Sequence, residues 1–228
     1  MKPILPDHGG LTSVPQDLGV SCPPQRSLGV TAEPATLPPL LGDDDDPLVE
    51  VDHSRVIYLA AYHRAQLPQA AESCLLRASA VHLLYRAAES LPEGYGLGIF
   101  DGWRHPGLQA YLAAACPDPR YVTPPDDPAS RPPPHTTGGA VDLTLTAGES
   151  PLALGTSFDH FGPEAAIDAF ERQPGPVREL RRMLYWAMVE VGFAPYASEW
   201  WHFEYGTRRW AAHTGREPRF GPVFPART

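Results

Sequence analysis

The residues best suited to chemistry are two imidazoles and two carboxylates in segments far apart in the chain. His135 and Asp142 lie seven residues apart, and Glu199 and His202 flank two tryptophans. Two imidazoles and a carboxylate are the nitrogen and oxygen donor set of a catalytic zinc site, which keeps a fourth position for water. Zinc brings the pKa of such a water close to neutrality, and a second carboxylate can take its proton. These residue types therefore point to a metal-dependent hydrolase.

Each segment taken alone also has a plainer explanation. The Gly138-Gly139 pair predicts a turn entering a strand, with Asp142 projecting back toward His135. A surface histidine on a proline-rich loop explains the same residues. In a regular strand, positions three apart face opposite sides, so Glu199 and His202 share a site only if the chain bulges at the tryptophans. An aromatic core segment with an incidental histidine is the alternative.

A third candidate follows a predicted strand in the segment Asp101-Gly-Trp-Arg104. The guanidinium of Arg104 can direct two N–H groups at the oxyanion of a tetrahedral intermediate. Structural pairing with a nearby carboxylate is the alternative explanation for a single arginine.

These residues must be positioned by helices and strands. The order of the predicted helices and strands indicates one α+β domain, with a small, mainly antiparallel sheet packed against helices. Apolar periodicity and proline or glycine boundaries predict helices over 68–91, 106–116 and 176–191 and strands over 96–101, 139–145 and 200–205. The proline-rich stretch 117–134 is a long loop, and such loops within a compact domain are usually functional lids or rims.

The chain divides at residue 47. Residues 1–47 are rich in proline and glycine without periodicity, and we expect them to wrap the surface or remain mobile. Their final acidic run, Asp43–Asp46, lacks the ligand spacing of a calcium loop and is interpreted as a solvated linker. Residues 48–228 are predicted to form the catalytic domain.

Composition limits the partners and the compartment. A net charge of −9 argues against binding to nucleic acid or to an anionic membrane surface. Three cysteines do not complete a disulfide framework, and the odd count favours a reducing compartment. No signal-peptide core or membrane-length apolar run is present, so we expect a soluble, cytoplasmic protein. The oligomeric state is left open.

Four motifs taken together resemble a known family. They are Asp101-Gly-Trp-Arg104, the pattern His-x-x-Gly-x-Ala-Val-Asp-Leu-Thr-Leu over 135–145, Gly155-Thr-Ser-Phe-Asp159 and Glu199-Trp-Trp-His202. In this order they resemble D-alanyl-D-alanine dipeptidases of the VanX type. That family consists of zinc peptidases related to the DD-carboxypeptidases and to the Hedgehog signalling fold. The resemblance spans roughly residues 50–206 and omits the N-terminal extension.

The resemblance implies one zinc ion per chain, held by His135, Asp142 and His202. By the same correspondence, Glu199 is the general base, Arg104 stabilises the transition state, and Asp159 holds the free ammonium group of a small dipeptide substrate. The implied activity is hydrolysis of D-alanyl-D-alanine to two D-alanines, and the implied fold is that of the DD-peptidases and Hedgehog proteins.

The chain departs from the family pattern at three places. Pro133 stands where a serine usually lies near the substrate amine, His105 separates Arg104 from the proline that commonly follows it, and the Tyr58 segment matches only loosely. These departures keep two alternatives open. One is a DD-carboxypeptidase or other peptidoglycan-stem peptidase on the same zinc site. The other is a non-catalytic, zinc-stabilised binding module, although such a module needs neither Glu199 nor Arg104.

Overall fold

The computed structural model describes residues 25–29, 32–116, 118–127 and 132–225. Residues 1–24 of the predicted extension therefore lie outside the described residues. In chain order the elements are β1 (Leu48–Glu50), β2 (Val56–Tyr58), α1 (Ala61–Arg64), β3 (Leu75–Arg77), α2 (Ala78–Ser90), β4 (Tyr95–Asp101), α3 (Pro106–Ala115), β5 (Ala140–Ala147), β6 (Ser150–Pro151), α4 (Pro176–Val191), β7 (Ala194–Tyr196), β8 (Glu199–Glu204) and α5 (Arg208–Thr214). Short 3-10 turns occupy Pro134–Thr137 and Pro163–Ala165. The predicted α+β class is confirmed.

The main sheet has the strand order β2-β4-β5-β8-β7, and the short β6 also pairs with β5. Strands β2 and β4 run parallel, whereas the other pairs of this sheet are antiparallel. A separate antiparallel pair joins β1 to β3. Every residue of β4 and β8 is buried, as is all of β5 except its last residue. These central strands give the site residues a rigid support.

Helices α2 and α4 pack against each other, and α4 also contacts β5 and β8. Leu180, Leu184 and Met188 recur every four residues on α4 and are buried, which is the spacing of one helical face. Full burial of one such side chain contributes roughly 1.5–3 kcal/mol. The helix ends as predicted at Gly192, which has a left-handed φ of 114°. In the described part of the chain, no helix combines the length and apolar character that a membrane span requires.

The helix predicted over 68–91 is wrong before Ala78. Strand β3 precedes α2 and pairs with β1, and Cys74, expected on a helix, lies buried just before that strand. Arg77, the last residue of β3, is buried and donates from Nε to the carbonyl of Thr137 at 2.7 Å. Partners distant in the sequence therefore override the local helical pattern.

The acidic run at the end of the extension makes specific contacts with the domain. Asp43 pairs with the buried guanidinium of Arg77 at 2.9 Å. Asp46 accepts from the backbone N–H of Ser79 at 3.2 Å, in the first turn of α2, where the helix dipole stabilises negative charge. The acidic run is therefore anchored to the folded domain by specific donors, although Asp43 itself remains exposed to solvent.

Candidate metal centre and active site

The three predicted metal ligands converge around the adjacent strands β5 and β8. Asp142 on β5 is the register partner of His202 on β8, and His135 lies in the 3-10 turn before β5. Nε2 of His135 lies 3.2 Å from Oδ2 of Asp142 and 3.2 Å from Nδ1 of His202. Nδ1 of His202 in turn lies 2.9 Å from Oδ1 of Asp142. All three side chains are buried, so the cluster sits within the fold and not on a surface loop.

A bulge in β8 brings Glu199 to the same site. Tyr196 on β7 pairs with Glu199, while the preceding Pro195 pairs with Phe203. The tryptophans and His202 between these pairs are left without partners on β7. Oε2 of Glu199 consequently lies 3.9 Å from Nδ1 of His202. The condition that the sequence set for a shared site, a bulge at the tryptophans, is therefore met, and the bulge allows residues three apart to share one side of a strand.

The donor set and its surroundings fit a zinc ion. Tetrahedral zinc with bonds of about 2.0–2.1 Å holds its ligand atoms roughly 3.3 Å apart, close to the separations seen here. On the far side of each ring, Nδ1 of His135 is 2.8 Å from the carbonyl of Gly102, and Nε2 of His202 is 3.0 Å from Oε1 of Glu204. Such partners fix the tautomer and leave the inward nitrogen free to bind a metal.

Glu199 supplies a carboxylate outside this donor set. The side chain is buried, and no described residue donates a hydrogen bond to its carboxylate. Burial raises the pKa of Glu199 well above its usual range, with nearby His202 acting in the opposite direction. A carboxylate with a raised pKa is better matched to accepting a proton near neutral pH.

Arg104 is a fixed positive charge beside the cluster. Its Nε donates to Asp101 at 2.8 Å and its Nη1 to Gln109 at 2.9 Å, while Nη2 lies 3.5 Å from Oδ2 of Asp142. Burial works against the charge, but the neighbouring Asp101 raises the pKa of Arg104 above its ordinary value. The structural pairing that the sequence offered as an alternative is therefore present, and one nitrogen of Arg104 also points at the cluster.

Asp159 lies on the loop after β6 with a left-handed φ of 57° and lines the same pocket. The hydroxyl of Tyr62, on α1, donates to its Oδ2 at 3.0 Å. Burial, reinforced by the charge of Asp142, raises the pKa of Asp159 to about 7. An incoming cation would stabilise the ionised form of this buried carboxyl, because its charge offsets the free-energy cost of ionisation in a buried site.

The side chains described at this site carry more negative than positive charge. Among the described residues that line the pocket, four carboxylates (Asp142, Asp159, Glu199 and Glu204) face three guanidinium groups (Arg104, Arg120 and Arg209), and the buried Asp101, paired with Arg104, adds a fifth carboxylate. Against the effect of burial, hydrogen bonds to Asp142 and Glu204 raise the pKa of His202 to about 10.

Comparison with known proteins agrees with this geometry. Residues 49–215 match the family model described as D-Ala-D-Ala dipeptidase. The chain belongs to the D-Ala-D-Ala dipeptidase family.

Three relatives carry the name D-alanyl-D-alanine dipeptidase. The chain is 34% identical to the one from Escherichia coli over 134 residues, which is 58% of this chain and 66% of the relative. The protein from Synechocystis is 29% identical over 102 residues, covering 40% of this chain and 41% of the relative. The one from Streptomyces coelicolor is 42% identical over 72 residues, covering 30% and 35%. The chain therefore spans less than two-thirds of the length of each relative.

In this member of the D-Ala-D-Ala dipeptidase family, the long loop before His135 forms one wall of the pocket. Residues 120–123 and Pro134 line it together with the cluster. Gln109 Nε2 donates to the carbonyl of Thr123 at 2.8 Å, and the hydroxyl of Tyr196 donates to the loop backbone. The described part of this loop therefore borders the candidate site.

Two departures from the family pattern have local structural explanations. Pro133 is buried and borders a neighbouring proline-lined groove, whereas the next residue, Pro134, lines the site pocket. His105 caps α3, because its Nδ1 accepts from the backbone N–H of Gly107 at 3.0 Å. Neither residue disturbs the cluster.

Sequence reasoning missed several residues of the site. Of the two tyrosines near the start of the domain, Tyr62 lines the pocket, whereas the hydroxyl of Tyr58 donates to the carbonyl of Ala71 at 3.2 Å. Gln109, which supports Arg104, left no signal in the sequence. Glu204 could have been found from the sequence, because it lies two residues after His202 and residues two apart on a strand share a face.

Proposed function

We propose that this chain is a zinc-dependent dipeptidase that hydrolyses D-alanyl-D-alanine to two D-alanines. The observation that carries the proposal is a buried carboxylate, Glu199, held beside three metal-binding side chains but outside their donor set. A structural zinc site usually has four protein ligands and has no use for an adjacent carboxylate. Membership of the D-Ala-D-Ala dipeptidase family supports the same reaction class.

Each group in the pocket has a role in this reaction. One zinc ion would be held by His135, Asp142 and His202. Zinc bound there would acidify a water molecule and polarise the scissile carbonyl. Glu199 accepts the proton of the attacking water and passes it to the leaving amine. Arg104, held in place by two side-chain acceptors, directs Nη2 toward the cluster and stabilises the developing oxyanion.

Asp159 and Tyr62 account for the preference for a free dipeptide. The ammonium group of D-alanyl-D-alanine would meet the Asp159 carboxylate, whose charge is otherwise buried without a basic hydrogen-bond partner among the described residues. An acylated amine brings no charge and leaves that carboxylate uncompensated, which disfavours peptidoglycan stem peptides.

The direct test is release of D-alanine from D-alanyl-D-alanine with and without a chelator, followed by restoration with zinc. L-alanyl-L-alanine and N-acylated D-alanyl-D-alanine are the comparison substrates. We expect chelator-sensitive cleavage of the free D-dipeptide alone. Equal or faster cleavage of the acylated substrate would instead indicate a carboxypeptidase acting on peptidoglycan stems. Zinc binding without turnover of any dipeptide would indicate a binding module.

A further inference from the structure

A residue of the N-terminal extension is connected to a proposed metal ligand through two ion pairs. Glu33 pairs with Arg209 on α5. Nε of Arg209 lies 2.8 Å from Oε1 of Glu204, and the same oxygen lies 3.0 Å from Nε2 of His202. Glu33 precedes the stretch that matches the family model, whereas the other three residues lie within it. The connection therefore joins a segment outside the family region to the metal cluster.

Glu204 has a single available orientation. It is 1% exposed. One carboxylate oxygen serves His202 and Arg209, and the other accepts the hydroxyl proton of Thr207. A carboxylate fixed in this way holds the imidazole at one rotation and in one tautomer, with Nδ1 directed toward Asp142.

Arg209 contacts the extension as well as the domain. Its side chain is 19% exposed, and its guanidinium lies 4.1 Å from the centre of the Tyr196 ring. The second oxygen of Glu33 accepts from the backbone N–H of Ala197 at 2.7 Å. Glu33 thus bridges the turn before β8 and the start of α5, the two segments on either side of the bulge that carries His202.

We propose that Glu33, Arg209 and Glu204 form a positioning relay through which the N-terminal extension orients His202 and strengthens metal binding. The relay rests on the proposed zinc function. It assigns the extension a role in the metal site, and its members act through His202 without touching the substrate.

The test uses the full chain and two measurements that do not depend on turnover. One is zinc affinity, by competition with a chromogenic chelator, and the other is the visible absorption spectrum of the cobalt-substituted protein, which reports ligand geometry. We expect Glu204→Ala to weaken zinc binding about 10–100-fold. Glu204→Gln should recover part of this loss, because its amide oxygen still accepts from His202.

Removing the distal member should have a smaller effect. Because Glu33→Ala removes one partly exposed ion pair, we expect it to weaken zinc binding about two- to fivefold. The same substitution should shift the cobalt spectrum in the same direction as Glu204→Ala. Glu190→Ala is the matched control, because it removes another ion pair between the extension and the domain, that with Arg26, away from the site. We expect this control to match the wild-type protein in both measurements.

The possible results separate the relay from the function on which it rests. Wild-type protein that binds no zinc overturns both proposals. Wild-type protein that binds zinc, with Glu33→Ala indistinguishable from Glu190→Ala, overturns the relay and leaves the dipeptidase proposal standing. If Glu204→Ala does not fold, the comparison of Glu33→Ala with Glu190→Ala decides the question by itself.

Discussion

The two ends of the pocket are built on different kinds of structure. At the cluster end, Asp142 and His202 are register partners on adjacent buried strands. At the amine end, Asp159 lies on a loop at a left-handed φ, and its described hydrogen-bond donor is a tyrosine on the four-residue helix α1. Strands hold side chains more precisely than loops do. The proposed catalytic groups thus lie on the rigid part of the fold, and the proposed substrate-selecting group lies on the more adaptable part.

The electrostatics of the two ends differ in the same way. Both aspartates are buried, and burial alone raises a carboxyl pKa. The two imidazoles overcome burial at Asp142 and hold its pKa well below the usual range, whereas burial raises the pKa of Asp159 to about 7. The negative charge of Asp142 is already compensated by the two imidazoles, whereas that of Asp159 needs an incoming cation. Because the two carboxylates are compensated in different ways, we expect substitutions at the two ends to affect different properties of the enzyme.

The largest expected effect is at the cluster end. Glu199→Ala should lower kcat about 10²–10⁴-fold, the usual contribution of general acid–base catalysis, with bound zinc and KM little changed. Rates of D-alanine release and zinc content measure the two properties separately. Glu217→Ala, at an exposed position, is the control. An active Glu199→Ala enzyme that retains zinc would contradict the proposed base.

At the amine end, Asp159→Asn should raise KM for D-alanyl-D-alanine about 10–100-fold, because a charge-assisted hydrogen bond is lost. Zinc content should not change. Asp52→Asn, at an exposed position, controls for the loss of one carboxylate. Loss of zinc from the Asp159→Asn protein would show that the two ends are not independent.

The pH dependence of binding should distinguish the ends further. As pH falls below the Asp159 pKa of about 7, its carboxyl becomes protonated and no longer attracts an ammonium group. The inhibition constant of a non-hydrolysable dipeptide with a free amine should then rise about tenfold per pH unit. The Asp159→Asn enzyme should show a flat profile over this range. An equally steep profile in that variant would assign the titration to another group.

The smallest effect is expected at the hydroxyl that supports Asp159. Tyr62→Phe should raise KM about 2–10-fold, the effect of one neutral hydrogen bond, without altering kcat or zinc content. Tyr58→Phe is the matched control, since it removes a hydroxyl that donates to a backbone carbonyl elsewhere. Equal effects of the two substitutions would argue against a role for Tyr62 in holding the substrate amine.

The sequence was most informative where function depends on residues close together in the chain. The segments around His135 and Glu199 could be recognised because their turn and bulge are local features, marked by a glycine pair and by two tryptophans. The predicted helix over 68–91 failed at its start because pairing of β3 with β1 depends on a distant strand.

By itself, the sequence determined the donor types, the spare carboxylate, the arginine and the α+β class. Only the tertiary structure decided that Tyr62 and not Tyr58 meets Asp159, that Gln109 supports Arg104, and that Glu33 pairs with Arg209. The physical reason is that these contacts join segments distant in the chain, through side chains whose directions are set by packing. Local sequence patterns carry no information on which distant donor will meet which acceptor.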